Sequence, residues 1–175
     1  MITPIAWTSR SWTFGREPGL FPAVLERLRG TAARAEELGR DTQSARLNLR
    51  TAGKWSAQEH IGHLADLDEL DDRRLSEFLD RVDVLTAADM NNSRTEQADH
   101  NRLPITAVLE HLRSGRQALV ERLDRLSADD LQHTCLHPRL GERMTIVDWM
   151  YFVAEHDDHH LAQARLAALT ASPQR

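Results

Sequence analysis

Residues 145–166 read TIVDWMYFVAEHDDHHLAQARL, and their apolar side chains recur at the spacing of an α-helix. Thr145, with Asp148 three residues further on, opens this segment. One stripe of the helix carries the apolar residues Ile146, Trp149, Met150, Val153, Leu161, Ala164 and Ala167. A helix with such a stripe buries it against other elements, so we expect it to pack inside a larger helical domain.

Three further segments have the same periodicity, over residues 21–38, 56–80 and 105–126. Ser56 and Glu59 form the S-x-x-E pattern of a capping box, and Gly39 is typical of a residue that ends a helix. Strand signals are nearly absent. The sequence therefore predicts an all-α fold, a four-helix bundle that forms a single domain over residues 1–175.

The longest predicted connection, residues 81–104, is polar and weakly periodic, with a short helix expected near residues 93–100. Connections of this length in compact domains are often functional. It leaves room for a crossover that makes two neighbouring helices parallel.

The composition argues against several classes of function. The net charge is −5, which gives no electrostatic reason to bind nucleic acid, and no apolar run approaches the length of a membrane span. The first residues lack the pattern of a signal peptide, so a cytoplasmic protein is expected. The single cysteine, Cys135, excludes a disulfide within the chain and is expected to pack in the interior.

Two histidines of the last helix fall on its apolar stripe. His156 and His160 are four residues apart, so their rings lie one above the other and can bind one divalent cation. His159 lies at the edge of the stripe. The zinc-binding helix of metalloproteases has H-E-x-x-H with a glutamate base, whereas here the intervening residues are Asp157, Asp158 and His159. A protease is therefore excluded.

A metal needs a third ligand, and the second helix offers His60 and His63, which spacing alone does not separate. Three neutral imidazoles would leave an open coordination position, as in catalytic sites, and they suit zinc or nickel. The alternative is that each buried histidine makes one hydrogen bond and binds nothing.

The segments KWSAQEHIGHLADLDELDDRRL (54–75) and AEHDDHHLAQARL (154–166) together resemble the DinB-like, or YfiT-like, four-helix-bundle proteins. The matching positions of the first motif are Trp55, Ser56, Glu59 and His63, and those of the second are His156 and His160. The resemblance implies an up-down-down-up bundle, often a homodimer, in which His63, His156 and His160 are the metal ligands. It also implies transfer of a low-molecular-weight thiol, such as bacillithiol or mycothiol, onto an electrophile.

These observations predict a metal-dependent thiol transferase, with a metal-dependent hydrolase or a non-catalytic ligand-binding bundle as alternatives. Asp66 and Asp157 are candidates to orient a ligand imidazole, and Arg74 is a candidate to meet an anionic substrate. The acidic run DLDELDD (66–72) is interpreted as a solvated helix face. Four other histidines are expected to be exposed or locally hydrogen-bonded: His100, His111, His133 and His137.

Overall fold

The computed structural model describes residues 4–171, and four long helical segments dominate it. The first consists of α1 (Phe21–Arg29) and α2 (Thr31–Asp41), which are separated at Gly30. The others are α4 (Ala57–Leu79), α6 (Ile105–Leu123) and α7 (Ile146–Thr170). Two short helices, α3 (Ser44–Leu47) and α5 (Ser93–Ala98), lie in the connections. Turns of 3-10 helix lie at Trp7–Ser9, Pro18–Leu20, His100–Arg102 and Asp130–Gln132.

Both predicted helix starts are confirmed by reciprocal hydrogen bonds. The Glu59 N–H donates to Ser56 Oγ at 3.1 Å, and the Ser56 N–H donates to Glu59 Oε2 at 2.8 Å. At α7 the Asp148 N–H donates to Thr145 Oγ1 at 3.2 Å, and the Thr145 N–H donates to Asp148 Oδ2, also at 3.2 Å. These bonds satisfy backbone donors that a helix start leaves without partners.

Contacts between the helices confirm the up-down-down-up topology. Gln58 bonds the carbonyl of Leu103, ahead of α6, while Arg122 near the end of α6 contacts Asp72, so α4 and α6 are parallel. His60 contacts His160 and Phe78 contacts Trp149, so α4 and α7 are antiparallel. The first segment is antiparallel to α6 (Glu36 with Arg113; Arg29 with Asp124) and parallel to α7 (Arg27 with Glu155; Glu37 with Arg165).

The prediction that Gly39 ends the first helix is wrong, because α2 continues through it to Asp41. A Cβ atom at Gly39 would lie 3.1 Å from Leu109 Cδ1 of α6. Glycine here therefore allows close approach of two helices.

A small β-hairpin was not predicted. Strands β1 (Thr134–His137) and β2 (Glu142–Thr145) pair antiparallel, with Cys135 opposite Met144 and both side chains fully buried. Gly141 takes a φ of +68° in the turn, a conformation that favours glycine. The crossover joins the outer edge of β1, since the Leu85 N–H donates to the Leu136 carbonyl at 3.0 Å. The hairpin leaves the all-α class unchanged.

The apolar core has two parts, with a polar layer between them formed by Asp68, Asp71, Arg116 and Asp157. Arg116 Nη2 contacts Asp68 Oδ1 at 3.3 Å and donates to Asp157 Oδ1 at 3.2 Å. The interpretation of residues 66–72 as a solvated face is wrong for Asp66, Asp68 and Asp71, which are all buried. Burial raises the pKa of Asp68 to about 8, and the nearby Arg116 guanidinium opposes this shift.

Among residues 4–171, no helix has the length and apolar character needed to cross a membrane.

Replacement of Arg116 by methionine is expected to lower the free energy of unfolding by about 3–5 kcal/mol, because it leaves buried carboxyl groups without their cation. Urea unfolding at neutral pH measures the change. The matched control is Arg113→Met on the same helix, where an exposed pair with Glu36 is lost and little change is expected. Equal destabilisation by the two substitutions would contradict the importance of the polar layer.

Candidate metal centre

His63 on α4 and His156 and His160 on α7 come together at one place in the bundle. One nitrogen of each ring lies within 4.8 Å of one nitrogen of each of the other two. The ring centroids are 4.5 Å apart for His63 and His160 and 4.3 Å apart for His156 and His160. The antiparallel packing of α4 on α7 thus selects His63 as the third member of the cluster.

Hydrogen bonds fix the ring of His63. Thr95 on α5 donates its hydroxyl proton to Asp66 Oδ2 at 2.8 Å, so its oxygen accepts from His63 Nδ1, which lies 3.0 Å away. Since Nδ1 carries the proton, Nε2 of His63 is the nitrogen with a free lone pair. Asp66 therefore acts on His63 through Thr95, an arrangement like the outer hydrogen bonds that orient metal-binding histidines.

His100 is a second partner of Asp66. Its Nε2 lies 2.9 Å from the same Asp66 oxygen, and its ring is buried against α4. A Cβ atom at Gly62 would overlap that ring, so glycine is required at this position of the helix. The expectation of an exposed or locally bonded His100 is wrong, because its partner is 34 residues away in the chain.

His60 lies beside the cluster. Its Nδ1 is 3.0 Å from Nδ1 of His160, which leaves Nε2 of His160 available to the cluster. Two indole rings flank the histidines: the Trp55 centroid is 5.0 Å from that of His63, and the Trp7 centroid is 4.9 Å from that of His156. His159, at the cluster's edge, lies 5.8 Å from Trp7 between ring centroids.

The environment keeps the three imidazoles neutral. Burial lowers the pKa of His63 to about 4, and the nearby Asp66 opposes this shift only in part. Burial, followed by the neighbouring histidines, lowers the pKa of His156 and His160 well below its usual range. Neutral imidazole is the form that binds a metal.

Asp157 and Arg74 have other contacts. Asp157 accepts from Thr31 Oγ1 at 2.7 Å and from Arg116, and within residues 4–171 no hydrogen bond joins it to a histidine. Arg74 is buried and donates through Nε and Nη2 to the Thr86 carbonyl, at 3.0 and 2.8 Å.

A cavity of about 250 Å³ opens over the histidines. Apolar side chains supply much of its wall, and Arg74, Arg139 and His137 supply a basic part. The rest of the cavity wall includes Trp7, His63, Leu67, Leu70, Asp71, Asp89, Met90, Phe152, Val153, His156, His159 and His160. A volume of this size suits a small molecule rather than a polymer.

The residues present fit a divalent cation. Three neutral nitrogen donors converge, two of the rings are oriented through their second nitrogens, and the cavity provides an open side. Thr95 and His100 were not predicted from the sequence, where the only indication of a role was that both lie in a long polar connection. The role of His60 was left open.

Thr95→Val is expected to weaken binding of zinc by about 10–100-fold, because it removes the acceptor that holds the Nδ1 proton of His63. Competition against a chromogenic chelator measures this affinity. Thr95→Ser retains the hydroxyl and is the matched control, with affinity close to that of the wild type. Equal affinities for the valine and serine variants would contradict a role of Thr95 in orienting His63.

The buried His137 is expected to make the stability of the metal-free protein depend on pH. Burial, aided by the positive charges of Arg74 and Arg139, lowers its pKa in the folded state to about 4. Its stabilising contribution is complete above the unfolded pKa near 6.5 and is lost as the pH falls toward 4. Between pH 7.5 and 5, the free energy of unfolding of the wild-type protein should fall by about 2 kcal/mol more than that of His137→Gln. Urea titrations at both pH values measure the difference, and parallel losses would contradict it.

A model of the DinB superfamily matches residues 27–164, which is most of the chain. No curated protein matches the sequence. Among solved structures, the fold is similar to that of YfiT from Bacillus subtilis, described as a probable metal-dependent hydrolase with an unusual four-helix bundle topology. The TM-score is 0.78 at 15% identity, and the alignment covers 91% of this chain and 92% of YfiT. The chain belongs to the DinB superfamily.

Proposed function

We propose that this protein is a metal-dependent transferase that joins a low-molecular-weight thiol, of the bacillithiol or mycothiol type, to a small electrophile. The observation that carries the proposal is the convergence of His63, His156 and His160 at a cavity of about 250 Å³. These three histidines are the proposed ligands, and zinc or nickel is the proposed metal.

The chain's own residues would bind and orient the reactants. When bound, a divalent cation supplies positive charge that favours the thiolate form of a thiol, which is the nucleophile. Leu67, Leu70 and Phe152 line the cavity and exclude water around that thiol. Thr95 and His60 hold the second nitrogens of His63 and His160, so the donor atoms keep their directions.

A metal-dependent hydrolase is the second candidate, and YfiT, a protein of the same fold, is described as a probable metal-dependent hydrolase. The same three histidines would serve, with water in place of the thiol.

Metal content per chain, measured by mass spectrometry on untagged protein purified without nickel resin, is the first test. We expect about one zinc or nickel ion per wild-type chain and loss of the ion in His63→Ala, His156→Ala and His160→Ala. His111→Ala, which changes an exposed histidine of α6, is the matched control and should retain the ion. A folded wild-type protein that holds no metal would favour a non-catalytic bundle.

Thiol consumption then separates the two enzymatic functions. Bacillithiol, mycothiol and glutathione are each offered with chlorodinitrobenzene, where the thiolate forms a carbon–sulfur bond and chloride leaves. A nitrophenyl ester without thiol tests hydrolysis in parallel. Thiol-dependent turnover that stops on chelation and returns with zinc or nickel supports the transferase. Turnover of the ester alone supports the hydrolase, and thiol transfer that survives thorough chelation contradicts the metal-dependent transferase.

A further inference from the structure

We propose that Arg74, Arg139 and His137 form a subsite in the cavity for an oxyanion group, a carboxylate or a phosphate, of the bound small molecule. The assignment of that molecule as a reactant rests on the proposed function. The subsite itself depends only on the basic wall of the cavity.

Hydrogen bonds hold the guanidinium of Arg74 in place and leave one of its nitrogens, Nη1, available to a ligand. Nε and Nη2 both donate to the Thr86 carbonyl, and the residue is 4% exposed. Within residues 4–171, Nη1 makes no hydrogen bond and no carboxylate lies within 4.0 Å of the guanidinium. A buried cation of this kind is costly unless a counter-charge approaches it, and the cavity is the side from which one can come.

Arg139 adds a second positive charge from the turn of the hairpin. Its Cζ lies 5.9 Å from the centroid of the Phe152 ring, and the ring of His137 lies 5.3 Å from the same centroid. Arg139 also has no carboxylate within 4.0 Å in the described part of the chain. Phe152 thus brings the hairpin's basic side chains together on one wall of the cavity.

These groups repel one another where no ligand is bound. The positive charges of Arg74 and Arg139 add to the effect of burial in lowering the pKa of His137. Arg139 likewise adds to burial in lowering the pKa of Arg74, against the opposing effects of Asp71 and Glu77. An anion between them would relieve this repulsion and accept charge-assisted hydrogen bonds.

Acids near this wall offset part of its positive charge, and Asp71 and Glu77 are the two that act on Arg74. The Asp89 carboxylate accepts the backbone N–H groups of Asn91 and Ser93, at 2.9 and 2.7 Å. Asp71 belongs to the polar layer, and burial raises its pKa to about 6. Glu77, outside the cavity lining, is bonded to Thr86.

The basic wall and the histidine cluster are separated by two aromatic rings. Phe152 lies 5.0 Å from Trp7, and Trp7 lies 4.9 Å from His156, between ring centroids. A ligand that spans the cavity can therefore place an anionic end on the arginines and a different, reactive atom at the histidines. This arrangement predicts a substrate class in which the two groups are on the same small molecule.

The test uses the full chain without metal, so that it does not depend on the proposed function. Succinate and inorganic phosphate are titrated separately into isotopically labelled protein at constant ionic strength, and chemical-shift changes are followed by NMR. The variants are Arg139→Met and Arg74→Lys. Arg125→Met is the matched control, because Arg125 is an exposed arginine that does not line the cavity. The spectra themselves report whether each variant is folded.

We expect at least one anion to bind saturably, with shifts centred on Arg74, Arg139 and Phe152. Arg139→Met should weaken that binding about tenfold, since one charged donor is lost, and Arg125→Met should leave it unchanged. Arg74→Lys, which keeps the charge and loses the fixed fork, should weaken it as well. Preference for succinate or phosphate identifies the oxyanion as carboxylate or phosphate. Absence of saturation with both, or equal weakening in the Arg125 variant, would overturn the subsite.

Discussion

The guanidinium of Arg116, placed between carboxyl groups of α4 and α7, is the interaction on which the arrangement of this bundle depends. It is 2% exposed, and its Nη2 contacts both Asp68 and Asp157, so one charge on α6 restrains the rotation of both neighbouring helices. Asp157 immediately follows His156, and a rotation of α7 that broke its contact would also turn the two histidines of α7 away from α4. Gly115 is part of the same constraint, because a Cβ atom there would overlap the carboxyl of Asp68. The polar layer therefore orients the residues of the candidate metal centre without touching a metal.

The path of the long crossover, residues 81–104, shapes both the histidine cluster and the cavity beside it. Because it returns the chain to the end from which α4 began, α6 runs parallel to α4, and the crossover must pass along the side of α4. That path places Thr95 and His100 against Asp66 and His63. The same connection pairs with β1 through Asp83 and Leu85 and so anchors the hairpin that carries His137 and Arg139. The crossover that makes α4 and α6 parallel thus also forms one side of the cavity.

The parts of the structure that were predictable from sequence are those with a local physical signal. Apolar periodicity located the long helices, the Ser56 and Thr145 caps located two of their starts, and the four-residue spacing of His156 and His160 placed both rings on the buried stripe. The family resemblance, rather than spacing, favoured His63 over His60. What escaped prediction depends on contacts between residues far apart in the chain. The sequence around Asp68 is typical of a solvated helix face, and only the fold brings Arg116 beside it. The four-residue strands gain their stability from pairing and burial, which no local pattern encodes.

The hydrogen bond from His63 to Thr95 connects the long helix α4 to a short helix of the crossover. Thr95 belongs to a six-residue helix with left-handed residues at both ends, Asn92 and Asp99, whereas His63 lies within the 23-residue α4. Local unfolding of the connection would leave the bundle intact and release only the imidazole's orientation. By thermodynamic linkage, any ion that prefers the oriented imidazole must lower the population of the open state. Amide hydrogens of residues 93–98 would then exchange with solvent more slowly when an ion is bound, and the crossover would act as a reporter of occupancy at a distance from the coordination shell.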